Sequence, residues 1–252
     1  MTHNGYPNQL PETGAVLPDM VAQQAAAFEA NFWRGSAPDT FRGLSDYNEL
    51  LKPFGVDIRD EIAGKVVGDV GSGIGGLAKT AYVEGIDATV RSINPHFTEP
   101  EFKRFEEENT ADSLRRDYPG LSDEAIEGAQ AYHDTHLATD FAHDLSFDDE
   151  TFDLLTDVVA VNAYALEDKE ALYARTMSEM LRVLKPGGKI LIVDGYRTAI
   201  GVRDEVTGEP MFKEKVLQEM GVRYTSVYDP KRPDVVVGAI VFKDGEAERR
   251  NV

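Results

Sequence analysis

The chain of 252 residues contains no cysteine, which excludes disulfides, thiol nucleophiles and thiolate metal sites. Long apolar runs are also missing: no stretch of about 18 apolar residues occurs, so no membrane span is expected. The first residues lack the basic-then-apolar layout of a secretion signal, and we interpret them as a loose arm. Together these absences favour a cytoplasmic protein that does not partner with a membrane.

Basic residues are scarce. The chain has 26 Lys and Arg against 45 Asp and Glu, which gives a formal net charge of −19. Nucleic-acid binding usually needs a basic surface, so neither DNA nor RNA is expected as a partner. The acidity is first of all typical of a very soluble protein. Apolar residues make up 42% of the chain, which is enough for the core of one large domain.

Strand-like and helix-like patterns alternate along most of the chain, which predicts an α/β fold. Strands are expected over residues 65–70, 88–93, 135–138, 152–158, 189–193, 222–228 and 235–242. Helices are expected over residues 17–34, 46–51, 75–84, 98–116, from 122 onward, 169–184 and 211–220. The prediction is a Rossmann-like, open, mostly parallel seven-stranded sheet with an antiparallel end strand, N-terminal helices and a helical insertion after the second strand.

The predicted organisation has two parts. Residues 1–60 form an N-terminal arm and helical cap, and residues 61–252 form the α/β domain. Within the domain, residues 96–132 form an acidic helical insertion, which Thr98 begins as the expected N-cap. The insertion is either a lid or the surface of a homodimer, and the sequence leaves both open. The aromatic stripe that ends at Trp33 favours core packing over a cover for a substrate pocket.

A glycine-rich turn follows the first predicted strand. Asp69 stands near the end of that strand, and glycines follow at positions 71, 73 and 75, before a helix. Such a turn has no side chains in the way, so a ligand can lie against backbone N–H groups at a helix start. The turn therefore predicts a nucleotide-like cofactor.

The glycines alone do not identify that cofactor. Gly71, Gly73 and Gly76 also satisfy the dinucleotide fingerprint, but a lone match of that kind is weak. A dinucleotide site expects an acid about twenty residues further on, to hold ribose hydroxyls. That position falls near Asn94, which carries no charge. An NAD(P)-dependent oxidoreductase is therefore the less favoured interpretation.

Four segments in order resemble the class I S-adenosylmethionine-dependent methyltransferases. They are the acid and glycine turn at 69–75, Asn94-Pro95 after the second strand, the run 140–153 into the fourth strand, and the run 181–189 into the fifth. The resemblance covers about residues 65–194 and the closing strands. It departs from the family at Asn94, where an acid is usual. The substitution of a neutral side chain for a charged one predicts a weaker or changed ribose contact.

The resemblance implies S-adenosyl-L-methionine as cofactor, held by Asp69, Gly71, Ser72, Gly73, Gly75, Asn94, Pro95, Asp140, Phe141 and Asp157. Asn94 would contact the ribose, and Asp140 would accept from the adenine amino group with Phe141 beside the ring. Asp157 would lie near the sulfonium. Each acid also has a plain structural alternative: a cap of the local turn, a surface acid, or a solvated strand end.

Methyl transfer sometimes needs a base, and histidine is the usual candidate. His136 and His143 are the expected candidates, with Asp157 as a third catalytic residue. Expected substrate contacts are Trp33, Asn162, Tyr164 and Tyr196. No metal is expected, because His133 and His136, placed on one strand, would point to opposite sides.

The sequence thus predicts an enzyme that transfers a methyl group from S-adenosylmethionine to a small molecule. The methylated atom (oxygen, nitrogen or carbon) is left open. The first alternative is a non-catalytic or non-methylating cofactor-binding member of the fold, which the missing acid at position 94 supports. The second is the NAD(P)-dependent oxidoreductase.

Overall fold

The computed structural model describes residues 41–158, 169–193 and 212–244. In these ranges the strands are β1 (Val66–Val70), β2 (Thr89–Ile93), β3 (Leu137–Ala138), β4 (Phe152–Val158), β5 (Leu184–Val193), β6 (Arg223–Asp229) and β7 (Arg232–Phe242). The α-helices are α1 (Leu44–Leu51), α2 (Ile58–Ile62), α3 (Gly76–Val83), α4 (Pro100–Asp117), α5 (Asp123–Thr135), α6 (Lys169–Val183) and α7 (Phe212–Glu219). The predicted helix 17–34 and the residues Trp33, Asn162, Tyr164 and Tyr196 lie outside the described ranges.

The seven strands form one sheet in the order β3-β2-β1-β4-β5-β7-β6. β1 to β5 pair in parallel, and β7 is antiparallel to both of its neighbours. The predicted seven-stranded, mostly parallel sheet with an antiparallel end is confirmed. The strand order reverses between β1 and β4, and in open α/β sheets ligands bind outside the carboxyl ends at such a point.

Apolar side chains cover both faces of the sheet, because buried parallel strands alternate apolar residues to each side. In β4, Leu154 and Val158 pack into one cluster with α1, α2 and α3. Leu155 packs into a second cluster with α6 and α7. The result is a three-layer α/β/α arrangement. None of the helices in the described ranges is long and apolar enough to cross a membrane.

The N-terminal helices share the main core. Leu44, Tyr47 and Leu51 of α1 pack with Val67 of β1 and Leu77 of α3. The proposed division of the chain at residue 60 remains a prediction, although the helices on both sides of it contribute to one cluster.

The crossover from β2 to β3 contains the two helices of the predicted insertion, α4 and α5. Two details of the prediction are wrong. The N-cap of α4 is Glu99 rather than Thr98, because Pro100 occupies the first helical position, where its fixed φ and missing N–H are tolerated. The helix α5 continues to Thr135, so His133 lies on a helix and not on a strand. Its buried face consists of residues at helical spacing, including Ile126 and Ala129.

The sequence predicts that the fifth strand begins at residue 189, but in the structure residues 185–188 already lie inside β5. Leu184 is opposite Phe152 and Lys189 is opposite Leu154, so the extra residues form an irregular bulge. The bulge is paired on its other side, since the N–H of Gly187 donates to the carbonyl of Lys243 over 2.9 Å.

Candidate cofactor site

The glycine turn needs its glycines for conformational reasons. Gly71, Gly73 and Gly75 have φ values of 67°, 57° and 72°, in the left-handed region that other residues rarely adopt. Gly75 is the N-cap of α3, so the first free N–H groups of that helix lie at this turn. The N–H of Gly71 donates to the carbonyl of Ile93 over 2.8 Å, which ties the turn to the end of β2.

Two groups from other parts of the chain pack closely against the end of this turn. A Cβ atom at position 75 would lie 2.1 Å from Nε2 of His133. A Cβ at position 76 would lie 2.3 Å from the carbonyl oxygen of Arg42. The turn is therefore fixed between the N-terminal segment and α5, and the packing against Arg42 is sufficient to explain a glycine at position 76.

Asp69 is 1% exposed and lies at the carboxyl end of β1. Its Oδ1 accepts hydrogen bonds from the hydroxyl of Tyr47 (2.5 Å) and from Oγ1 of Thr156 (2.7 Å). Burial raises the pKa of Asp69 to about 6, although both hydrogen bonds and the charge of Arg42 act to lower it. Its Oδ2 is buried with no hydrogen-bond partner in the described ranges.

Arg42 places a cation beside this carboxylate. Its Nη1 donates to the carbonyl of Val158, the last residue of β4, over 3.0 Å. Its charge lowers the pKa of both Asp69 and Tyr47. Sequence reasoning missed Arg42, Tyr47 and Thr156, since none belongs to a motif. The only signal was a polar residue, Thr156, inside an apolar strand.

Asn94 is buried and holds the turn in place. Its Nδ2 donates to the carbonyl of Gly73 over 3.1 Å, and its Oδ1 accepts from the N–H of His96 over 3.0 Å. One amide hydrogen and one lone pair of this side chain are left for a ligand. The predicted ribose contact of Asn94, with Pro95 beside it, remains a prediction.

Asp140 follows β3 by two residues. The N–H of Asn94 donates to the carbonyl of Ala138 over 3.0 Å, so the ends of β2 and β3 are adjacent. Neighbouring strands lie about 4.8 Å apart, so the ends of β1, β2 and β3 span about 10 Å. The structure thus brings Asp69, Asn94 and Asp140 to three adjacent strand ends. Oδ2 of Asp140 accepts from both the N–H and the hydroxyl of Ser146, which fixes the loop that carries Phe141.

Asp157 is also buried but lies on the other face of the sheet from Asp69. In register it is opposite Val70 and Ile192, both of which pack into the cluster with α6 and α7. Its charge raises the pKa of Asp69. The predicted role of Asp157 near the sulfonium remains a prediction.

His136 is not brought to this crevice. Its ring stacks on Tyr132 with a centroid distance of 4.3 Å, and its Nδ1 lies 2.7 Å from the carbonyl of Tyr132. The hydroxyl of Tyr132 is bonded to Ala88 and Val90, at the amino end of β2. The cofactor residues lie at the opposite, carboxyl end, so the geometry does not support His136 as the base.

His143 lies nearer to the crevice. It is buried, and its ring centroid is 5.5 Å from that of Phe141. Burial lowers the pKa of His143, and this outweighs the charges of Asp144 and Glu179, which act to raise it, so the ring is neutral near pH 7. Its position beside Phe141 places it at the predicted adenine end rather than the methyl end. Its role as a base remains a prediction.

Three potential metal ligands do come together beneath the glycine turn: ligand atoms of Glu106, His133 and Asp134 lie within 4.8 Å of one another. The predicted separation of His133 and His136 by strand alternation is wrong, since His133 is helical. A cation is already present, because Nζ of Lys79 lies 2.7 Å from Oε1 of Glu106. The expectation of no metal remains a prediction.

Two buried polar atoms at the turn match the methionine end of the cofactor. Oδ2 of Asp69 and Oγ of Ser72 have no hydrogen-bond partner in the part of the chain that the structure describes. Buried polar groups are normally satisfied, so orphaned ones indicate a missing ligand or water. A carboxylate oxygen can accept from the cofactor's ammonium group, and a hydroxyl can donate to its carboxylate. The residues present fit the cofactor.

The fold and this site define an α/β protein with a candidate cofactor site at the β1–β4 switch point. Residues 68–192 match a family model described as a methyltransferase domain. Just under half of the chain is therefore a methyltransferase domain.

Similarity to a curated protein covers a smaller part. The chain is 34% identical over 80 residues to the ubiquinone/menaquinone biosynthesis C-methyltransferase UbiE of Idiomarina loihiensis. This match covers 32% of the chain and 29% of that relative's length.

Several solved structures are similar. A SAM-dependent methyltransferase from Methanosarcina mazei is 20% identical with a TM-score of 0.44, and the match covers 76% of this chain and 99% of the other. One from Aquifex aeolicus is 18% identical with a TM-score of 0.45, covering 77% and 91%. The 1,6-didemethyltoxoflavin-N1-methyltransferase of Burkholderia thailandensis, solved with S-adenosylhomocysteine, is 17% identical with a TM-score of 0.41, covering 96% and 93%.

Proposed function

We propose that this protein transfers a methyl group from S-adenosylmethionine to a small molecule. The observation that carries the proposal is the glycine turn with its buried acid: three left-handed glycines beside Asp69, whose Oδ2 lacks a partner in the described ranges. The domain match and the sheet order support the same conclusion. S-adenosylmethionine, when bound, supplies a methyl group activated on a sulfonium.

In this proposal the residues of the crevice bind and orient the cofactor. Asp69 accepts from its ammonium group, while Ser72 and the first N–H groups of α3 donate to its carboxylate. Arg42 has N–H groups beyond the one bonded to Val158, and these are available to the same carboxylate. Asn94 contacts the ribose with its remaining donor or acceptor, and Asp140 takes the adenine amino group with Phe141 beside the ring.

In this proposal the acceptor is a small molecule. The net charge of −19 supports this, because a nucleic-acid substrate usually needs a basic surface. The geometry favours neither histidine candidate for a base, because His136 lies at the opposite end of the strands and His143 lies beside Phe141 at the predicted adenine end. A cytoplasmic location and the possibility of a homodimer remain predictions.

Calorimetry on the full-length chain tests the proposal. We expect S-adenosylmethionine and S-adenosylhomocysteine to bind with micromolar dissociation constants, and NADH and NADPH to give no heat. Transfer of labelled methyl groups to a panel of small hydroxyl, amine and carbon acceptors then tests the reaction. Absence of heat with both S-adenosyl compounds would refute the proposal.

A non-methylating member of the family is the second candidate. The neutral Asn94, with both of its functional groups already bonded to Gly73 and His96, favours it. This candidate predicts binding of both S-adenosyl compounds without transfer to any acceptor. Binding of NADH instead would favour the oxidoreductase.

A further inference from the structure

A buried charged cluster lies beneath the glycine turn. Lys79 of α3 is 0% exposed. Its Nζ donates to the carbonyl of Ile74 over 2.7 Å, to Oε1 of Glu106 over 2.7 Å and to Oγ1 of Thr110 over 3.0 Å. Ile74 stands in the turn between Gly73 and Gly75, while Glu106 and Thr110 belong to α4. All three donors of the ammonium are therefore used, and one of them reaches the turn itself.

The second helix of the insertion joins the same cluster. Oε1 of Glu106 also accepts from Nε2 of Gln130 over 2.9 Å and lies 3.1 Å from Nδ1 of His133, both on α5. The ring of His133 is fully buried and packs against Gly75. Burial lowers the pKa of His133, which keeps the ring neutral, while Glu106 keeps its charge because His133, Lys79 and Gln130 outweigh its burial.

We propose that Lys79 and Glu106 are positioning residues that let the insertion, α4 and α5, set the geometry of the cofactor turn. The proposal rests on the proposed function only in taking this turn as the cofactor's. Lys79 fixes a carbonyl of the turn, and Glu106 fixes Lys79. His133 then supports Gly75 from below, so the insertion acts on the turn at Ile74 through Lys79 of α3 and at Gly75 directly.

The energetics favour this role over a purely structural one. A buried ion pair is often no more stabilising than well-packed apolar side chains of similar volume, because both charges must be desolvated. Apolar side chains could fill the same space, but they could not donate to the carbonyl of Ile74. The cluster therefore contributes orientation of the turn that simple packing would not supply.

The test is the double variant Lys79→Met with Glu106→Met, which replaces the pair by apolar side chains and leaves no unpaired charge. We expect it to fold with a melting temperature close to the wild type. Amide hydrogen exchange of residues 71–76 should rise about tenfold, and the dissociation constant for S-adenosylhomocysteine should rise about tenfold. The variant Glu106→Asp keeps both the acceptor and the negative charge for Lys79 and should retain most of both properties.

The matched control is Arg115→Met with Asp123→Met, which removes an exposed ion pair between the same two helices, away from the turn. It should leave exchange and affinity unchanged.

Unchanged exchange at residues 71–76 in the Lys79/Glu106 double variant would overturn the proposal. If that variant does not fold, Thr110→Val replaces it, with a two- to threefold rise in exchange expected and no rise contradicting the proposal. Exchange is measured without cofactor, so failure of the wild type to bind S-adenosyl compounds would refute the proposed function separately.

Discussion

Asp69 shows how a single buried residue can serve binding at the expense of stability. Its carboxylate has two donors on Oδ1, from Tyr47 and Thr156, yet burial still raises its pKa to about 6. The charged form is therefore disfavoured in the protein without ligand. A cofactor that presents an ammonium group to Oδ2 would compensate for this, so the strain at Asp69 is a property of a binding site.

This shift makes the stability of the unliganded protein depend on pH. A group whose pKa rises from 3.8 to about 6 on folding contributes most below pH 3.8, and the contribution is lost as the pH rises through about 6. The variant Asp69→Asn lacks this dependence. The free energy of unfolding of Asp69→Asn minus that of the wild type should increase by roughly 2 to 3 kcal/mol between pH 4 and pH 7.

Urea denaturation at a series of pH values measures this difference. Asp153→Asn is a suitable comparison, because ion pairing and hydrogen bonding hold the pKa of Asp153 below its usual value, so its contribution is already present above pH 4 and its difference should stay nearly constant between pH 4 and pH 7. A difference for Asp69→Asn that stays flat with pH would contradict the assigned shift.

Arg42 provides a second test at the scale of one residue. Replacement by Met keeps an unbranched side chain but removes every side-chain N–H donor at this position. We expect the affinity for S-adenosylmethionine and S-adenosylhomocysteine to fall by about tenfold or more, since hydrogen bonds to charged groups are among the stronger ones. Calorimetry measures this, with Arg115→Met as the control. Equal affinities in Arg42→Met and the wild type would exclude Arg42 from the carboxylate site.

At the scale of secondary-structure elements, the turn between β1 and α3 depends on what packs against it. Gly75 and Gly85 flank α3, and both have positive φ values. A Cβ at Gly75 would overlap the ring of His133, whereas a Cβ at Gly85 would meet nothing within 4 Å. The two positions therefore separate backbone strain from steric overlap.

Alanine at these two positions should have different effects. Gly85→Ala introduces only the strain of a left-handed residue, about 1 kcal/mol. Gly75→Ala adds an overlap with a buried ring and should destabilise by about 3 kcal/mol or more. Thermal and urea unfolding of the two variants measure the difference. The added variant His133→Ala should recover part of the loss in Gly75→Ala, and no recovery would show that the ring is not the cause.

At the scale of the whole molecule, the charge of −19 is spread over a chain with 45 acidic residues. Repulsion among like charges destabilises the compact state. Salt weakens this repulsion, and at 0.1 M it largely screens charges that are more than about 10 Å apart. We expect the melting temperature at pH 8 to rise by several degrees between 0.02 M and 0.5 M NaCl.

The rise should be smaller near pH 5, close to the isoelectric point of about 4.6, where the net charge is small. Scanning calorimetry at the two pH values compares them directly. An equal rise at both would indicate that salt acts on the protein by a route other than screening of net charge.

The sequence alone determined the sheet and the turn, because both depend on local patterns. Apolar runs bounded by glycines specify buried strands such as β1 and β4, and helical spacing specifies α6. Asp69, Asn94 and Asp140 were correctly placed at strand ends, since carboxyl ends of parallel strands share one edge. The order of the four methyltransferase-like segments along the chain then indicated which cofactor these residues would bind.

Only the tertiary structure decided which partners these residues meet. Tyr47, Thr156 and Arg42 reach Asp69 from segments far apart in sequence, and no spacing rule connects them. The sequence pattern places His133 on a strand, but it lies on a helix. Its ring is buried against Gly75, more than fifty residues earlier in the chain. Contacts of this kind depend on how the elements pack in three dimensions, and a pattern read along one chain does not contain that information.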